Sequence, residues 1–213
     1  TLKGCQRVRC MGVGTNVGCF GGVLPSPKNL DKLVKVGHEF EEFLGYKLKI
    51  YSGGSTSSLA LVEKGIMPSE INQLRVGEAI LLGSDVTGRR SIPYLNQDTM
   101  ILEAEVIELR RKPSVPIGRV GADAFGNVPA FADKGVRLRG ILAIGKQDVR
   151  LDGISPLQEG VYVLGASSDH LIVDIEELAG EITIGSIISF KVDYGAMLAA
   201  TTSPYVRVVI EER

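Results

Sequence analysis

Tyr51-Ser52-Gly53-Gly54-Ser55-Thr56-Ser57-Ser58 is followed, after a short helical stretch, by Leu74-Arg75-Val76-Gly77-Glu78. In the first stretch an apolar strand runs into a turn of glycines and small hydroxyls. In the second a strand ends in an arginine and passes through Gly77 into the start of another helix. Two such strand ends in succession read as the phosphate site of a (β/α) barrel, where backbone N–H groups and a helix N-terminus face an anion. A phosphorylated ligand is therefore expected, and so is a fold of which this chain holds only a part.

The flanking residues extend that reading. Residues 7–13 read as a strand and 14–22 as a Gly-rich loop. Leu30, Leu33, Val34, Phe40, Phe43 and Leu44 then recur at helical spacing up to a stop at Gly45. Residues 47–51 and 72–76 read as further strands, separated by a short helix over 57–64. Alternation of strand and helix implies parallel pairing. Three strands cannot close a barrel, so the chain, which starts at Thr1 rather than Met, is expected to be a piece of something longer. Residues 84–98 read as a polar linker, after which the period changes to two. Met100, Leu102, Ala104 and Val106 face one way, and Glu103 and Glu105 the other. Short strands are expected at 137–144, 161–164, 171–175, 182–191 and 205–211, punctuated by Gly and Pro. The domains are thus drawn at 1–92, the end of a barrel, and 93–213, an antiparallel β-domain.

Composition removes other classes. With 24 basic and 25 acidic side chains the net charge is −1, which gives no footprint for nucleic acid; Arg110-Arg111-Lys112 is a solvated strand end. No apolar run approaches the roughly 18–20 residues that span a bilayer. Cys5, Cys10 and Cys19 are odd in number and lack metal-ligand spacing, so reduced thiols and a cytoplasmic location are expected, with no metal site.

Further motifs carry a resemblance. Besides residues 52–58 and 74–78, they are Asp123-Ala-Phe-Gly-Asn127, Gly165-Ala-Ser-Ser-Asp-His-Leu-Ile-Val-Asp174 and Asp193-Tyr-Gly-Ala-Met-Leu198. In this order they resemble the alanine racemase superfamily, pyridoxal-phosphate enzymes with a barrel followed by a β-domain, and within it the ornithine racemase-like branch. The resemblance covers essentially the whole chain. It implies the last three strands or so of a (β/α)8 TIM barrel followed by an antiparallel all-β domain. It also implies an amino-acid racemase that exchanges the α-proton, working as a homodimer whose active site is shared across the interface.

Site residues follow by the same resemblance. Ser55, Thr56 and the backbone of Gly77 and Glu78 would bind the cofactor phosphate, and Tyr194 would reach it from the β-domain. Arg75 would donate to the pyridine nitrogen. A guanidinium does not give up its proton, so the ring is a weaker electron sink that favours simple reprotonation over decarboxylation. Two positions depart from the family. Asn16 stands where a His packs on the cofactor ring, and Lys146, in Gly145-Lys146-Gln147-Asp148, stands where a Tyr serves as second base. A lysine shielded from water can itself act as a base; alternatively Lys146 holds the substrate carboxylate and Asp148 or Asp169 carries the proton. His170 stands next to Asp169 and could orient it, and His38 reads as structural. The Schiff-base lysine belongs on the first barrel strand, outside this sequence, and neither Lys47 nor Lys49 sits in its context. The chain alone is therefore expected to be inactive. Ornithine, lysine and alanine all fit as substrates. The alternatives are a relative of the basic amino-acid decarboxylases and a non-catalytic cofactor-binding or dimerisation module.

Overall fold

A computed structural model describes residues 7–122, 125–128 and 130–211, which fold as two units, the first running to Thr99 and the second from Met100. Cys5 and two residues of the 123–127 motif lie outside the described residues.

In the first unit, strands β1 (Gly12–Gly14) and β2 (Ile50–Ser52) pair in parallel, Val13 opposite Tyr51, and helix α1 (Pro27–Leu44) joins them. The start of α1 is locally determined. Ser26 accepts from the Asn29 amide at 3.3 Å and donates its own amide to the Asn29 side chain at 2.9 Å, a reciprocal cap followed by Pro27 at the first helical position. Leu30, Val34, Gly37 and Glu41 form the buried face. Gly37 is required there, because a Cβ on it would overlap the Tyr51 ring. Val34, Leu48 and Tyr51 are buried together, with Val13, Phe40 and Ile71 packed on them; each such side chain contributes on the order of 1.5–3 kcal/mol. Glu41 ties helix to strand: its carboxylate accepts from Lys47 Nζ at 2.7 Å, from the Leu48 amide at 2.8 Å and from the Tyr51 hydroxyl at 3.1 Å. Lys47 and the Leu48 amide hold this carboxyl below its ordinary range.

The strands are shorter than the sequence pattern suggests, and the reason is visible. The amides of Lys49 and Ile50 both donate to the Met11 carbonyl, at 2.9 and 3.1 Å, so the ladder between β1 and β2 becomes regular only at Gly12. Residues 72–76 form no strand but a single parallel bridge, Ser52 to Gln73. There the Asn72 side chain replaces a ladder partner, accepting from the Tyr51 amide at 3.0 Å and donating to the Lys49 carbonyl at 2.9 Å. A 3-10 turn (Thr56–Ser58) leads into α2 (Leu59–Glu63), and α3 (Glu78–Leu82) follows the bridge. The expected linker at 84–98 is instead ordered. Strands β3 (Ser84–Asp85) and β4 (Arg90–Ser91) form a small hairpin, and Arg90 binds Glu63 at 2.6 Å and buried Asp85 at 3.2 Å.

The second unit is one antiparallel sheet of six strands: β5 (Ile101–Pro113), β6 (Val136–Leu142), β7 (Ile154–Pro156), β8 (Tyr162–Ala166), β9 (Leu171–Asp174) and β10 (Ile187–Val192). Their order is β7-β10-β5-β6-β9-β8, and the two edge strands approach each other, so the sheet is nearly a closed barrel. Leu102, Ala104 and Val106 are buried while Glu103 and Glu105 are exposed, as the period-two pattern predicts. A bulge between Val106 and Glu108 bends β5, which pairs with β10 before it and mainly with β6 after it.

Two expectations for this unit fail. Residues 205–211 form no strand, and the chain before them is a helix, α4 (Tyr194–Thr202). Asp193 caps it by accepting from the Ala196 amide at 2.7 Å, its alanine-rich body favours helix, and Pro204 stands just beyond its end. Residues 182–186 turn rather than extend, since the Thr183 amide donates to Ser186 Oγ at 3.0 Å. Among the described residues no helix is long and apolar enough to cross a membrane.

Candidate functional site

In the first unit the residues expected to form a phosphate cradle gather where β1, β2 and the Gln73 bridge end. The turn after β2 places Ser55, Thr56, Ser57 and Ser58 in sequence, and each hydroxyl is used differently. Ser55 donates to Asn16 Oδ1 at 3.3 Å, which brings two of the expected cofactor residues together. Thr56, 4% exposed, accepts from the Ala79 amide at 3.2 Å and so caps α3; its own hydroxyl proton remains to be given. Ser58 closes the turn by donating to the Gly53 carbonyl at 2.7 Å. Ser57 is buried, and its hydroxyl is without a partner among the described residues.

The backbone shows the same pattern. The Gly53 amide donates to Gln73 and the Arg75 amide to Gly54, at 2.9 and 2.8 Å, which locks the two strand ends together. Among the described residues the amides of Gly54, Ser55 and Gly77 find no acceptor. A buried hydroxyl and main-chain N–H groups without partners cost free energy unless something accepts from them. An oxyanion is the acceptor this donor set fits. Gly77 and Glu78 stand where the sequence places them, at the start of α3. The Glu78 carboxylate serves a different purpose from its backbone, accepting from Ser84 Oγ at 2.9 Å and the Val86 amide at 2.7 Å to fasten the β3–β4 hairpin.

Arg75 spans the top of the strand pair. One guanidinium nitrogen donates to the Ser52 hydroxyl and the other to the Thr15 carbonyl at 3.1 Å. Its cation is thus fixed by Thr15, just beyond β1, and Ser52, the last residue of β2, while the side chain stays exposed. Ser52 and Thr15 are partners of Arg75 that sequence reasoning missed. Both stand inside the quoted motifs, but only the parallel register brings them to one arginine.

The second unit holds a separate group. The Gly145–Asp148 turn lies against the end of β8, with the Lys146 amide donating to Ser167 at 3.0 Å and the Gln147 amide to Ser168 at 2.9 Å. Gly145 is needed for this approach, since a Cβ there would strike the backbone of Ser168 and Asp169. Lys146 Nζ sits 3.7 Å from the centroid of the Phe125 ring, a cation–π contact from the 123–127 motif. Three of the motifs therefore converge in this unit.

Its two carboxylates differ. Asp169 is exposed, accepts from Ser167 and Ser168 hydroxyls at 3.1 and 3.0 Å, and lies 3.3 Å from His170 Nδ1. The hydroxyls of Ser168 and Ser167 hold its carboxyl below the usual range, which makes it a weak base. Asp148 is 3% exposed, and both its oxygens are engaged: one accepts from the Gly145 amide at 3.2 Å, the other from Ser203 Oγ at 2.7 Å. That geometry suits a structural fastener, not the proton carrier expected of it. Tyr194 opens α4, 44% exposed.

No family model matches the chain. It is 44% identical over 207 residues to a lysine racemase of Thermotoga maritima, covering 97% of this chain and 58% of the relative. It is 42% identical over 201 residues to an ornithine racemase of Acetoanaerobium sticklandii, covering 94% and 57%. The chain thus spans a little under three-fifths of the curated relatives it matches. Its fold is similar to that of alanine racemase from Bartonella henselae, solved with covalently bound pyridoxal phosphate, with a TM-score of 0.51 at 16% identity over 83% of this chain and 46% of that one. In sequence the chain is similar to these lysine and ornithine racemases, and in fold to the alanine racemases.

Proposed function

We propose that the protein carrying this chain is a pyridoxal-phosphate-dependent racemase of a basic α-amino acid. The observation that supports it best is the cradle: amides of Gly54, Ser55 and Gly77 and a buried Ser57 hydroxyl that have no partner among the described residues, and an arginine clamped by Ser52 and Thr15 at the same strand ends. Lysine and ornithine racemase relatives support the substrate class. In this reading β1, β2 and the Gln73 bridge belong to a (β/α)8 barrel.

Ser55, Thr56 and the Gly77–Glu78 backbone would hold the phosphate, with Asn16 beside the ring; the donor role of Tyr194 rests on its motif alone. Bound pyridoxal phosphate would supply the electron sink that lets an α-proton leave. Arg75 would present a cation to the ring nitrogen, and its clamp by Ser52 and Thr15 keeps that cation from swinging away. Lys146, packed on Phe125, gives or takes a proton at the substrate's α-carbon, from a second subunit of a homodimer. Asp169 stays charged and orients the Ser167 and Ser168 hydroxyls. Lys47 is held by Glu41 and Lys49 is exposed, so neither is assigned to the cofactor's aldehyde.

The test is to incubate the whole protein with L-lysine, L-ornithine or L-alanine in D2O and follow the α-proton by NMR. Loss of that signal together with the D-isomer is expected for a basic amino acid. Retention of the α-proton in all three would end the racemase reading.

A further inference from the structure

The segment 145–153 and helix α4 are fastened to each other at both ends. At one end the Asp193 amide, which precedes Tyr194, donates to the Gly153 carbonyl at 2.8 Å. At the other, Ser203 caps α4 by donating its amide to the Ala199 carbonyl at 3.1 Å, while its hydroxyl donates to Asp148 at 2.7 Å and accepts from the Tyr205 amide at 3.2 Å. The second Asp148 oxygen takes the Gly145 amide, which closes the turn bearing Lys146. At about 1.5 Å per residue the two fastenings lie on the order of 14 Å apart along the helix.

We propose that Asp148 is a positioning residue that, with Ser203, locks the Gly145–Asp148 turn to the C-terminal end of α4. Lys146 and Tyr194 then ride on one rigid piece of the β-domain, and a shift of either carries the other. Asp148 is suited to this because a buried carboxylate has two acceptor sites and here meets two donors on separate segments. Placement to within a fraction of an ångström is what proton transfer demands of such a support. The proposal rests on the racemase reading only in giving Lys146 and Tyr194 their tasks; the fastening itself is independent of it.

The test uses Asp148→Ala, Ser203→Ala and Asp148→Asn, read by amide hydrogen exchange and by turnover of the whole enzyme. Asp148→Ala and Ser203→Ala should speed exchange at the Gly145 and Tyr205 amides by about tenfold. They should also lower kcat by about tenfold or more with little change in KM. Asp148→Asn keeps an acceptor for Gly145 and offers Ser203 a donor in place of an acceptor. It should restore exchange and kcat to within about threefold of wild type, with an unaltered pH profile. If Asp148→Ala fails to fold, Ser203→Ala removes a single hydroxyl and carries the same measurement. Native exchange with an inactive Asp148→Asn would make Asp148 an acid or base and overturn the proposal; so would unchanged exchange in both alanine variants. If the wild-type enzyme moves no α-proton, the racemase reading fails alone and the exchange data still decide the fastening.

Discussion

The cradle around Ser55 and the turn around Lys146 recruit their functional groups in different ways. The cradle is made largely of backbone: two glycines, a row of hydroxyls and unpaired amides set by the ends of β1 and β2. The Lys146 turn makes two main-chain bonds to Ser167 and Ser168 but also depends on distant side chains, with Ser203 and Phe125 arriving from remote parts of the sequence. A backbone-built site tolerates substitutions that keep its turn, because the donors belong to the main chain. A site held by side chains fails when any one tether is cut. Substitutions in the two sites should therefore differ in kind as well as in size.

The largest effect is expected at Arg75, whose side chain ties the two strand ends together. Arg75→Ala removes the cation and both clamps, and should lower kcat/KM in the whole enzyme by about 1,000-fold, a loss of the size seen when a preorganised donor is removed. An Arg75→Lys variant that matched wild type would show that the planar fork is not needed and would break the account of the clamp. Next comes Lys146→Met, expected to cut α-proton exchange by roughly 100-fold or more while leaving cofactor absorbance unchanged. Equal loss of cofactor would place Lys146 in binding instead. Thr56→Val should be milder, weakening pyridoxal phosphate binding by about tenfold, as fits one lost hydrogen bond to a charged group. The same change removes the cap of α3, so it should lower stability by about 1 kcal/mol in thermal unfolding.

The smallest effect concerns acid stability. The Glu41 carboxyl is held below its ordinary value of 4.5 by Lys47 and the Leu48 amide. A depressed folded-state value stabilises the first unit above pH 4.5, and that contribution is lost as pH falls through the folded value. Urea unfolding between pH 7 and pH 3 should show this fall, and Glu41→Gln should flatten it. In the second unit burial pushes Asp174 up, but the paired hydrogen bonds from Arg137 at 2.9 and 3.1 Å and the Glu176 amide leave it lowered. Its contribution is likewise present above its ordinary value of 3.8 and lost in acid.

How much was legible in the sequence follows the same division. The cradle could be read because a glycine, a hydroxyl and a strand end are local statements. Helix α1 could be read because apolar residues recur at helical spacing from Leu30 to Leu44 and Gly45 stops it, although its Ser26–Pro27 start was not singled out. Strand lengths were overestimated where a side chain or a shared carbonyl took the place of a ladder bond, as at Asn72 and Met11. Residues 205–211 look like a strand by composition, but Ser203 ends α4 by bonding Asp148 and the tail beyond finds no partner strand. Asp148 was read, as one alternative with Asp169, as a proton carrier should Lys146 hold the substrate carboxylate. Its burial and its second donor come from α4, 55 residues away, and no local pattern announces them.

The central claim is that the turn after β2 is a phosphate cradle, and it can be tested on the 213-residue chain without any activity. Pyridoxal 5′-phosphate, pyridoxal and inorganic phosphate are titrated separately into isotope-labelled protein, and the amides of Gly54, Ser55 and Gly77 are followed by NMR. The account predicts that pyridoxal 5′-phosphate shifts these amides, that pyridoxal without its phosphate does so far more weakly, and that inorganic phosphate competes. Equal shifts with pyridoxal, or no shift at these amides with any of the three, would contradict it.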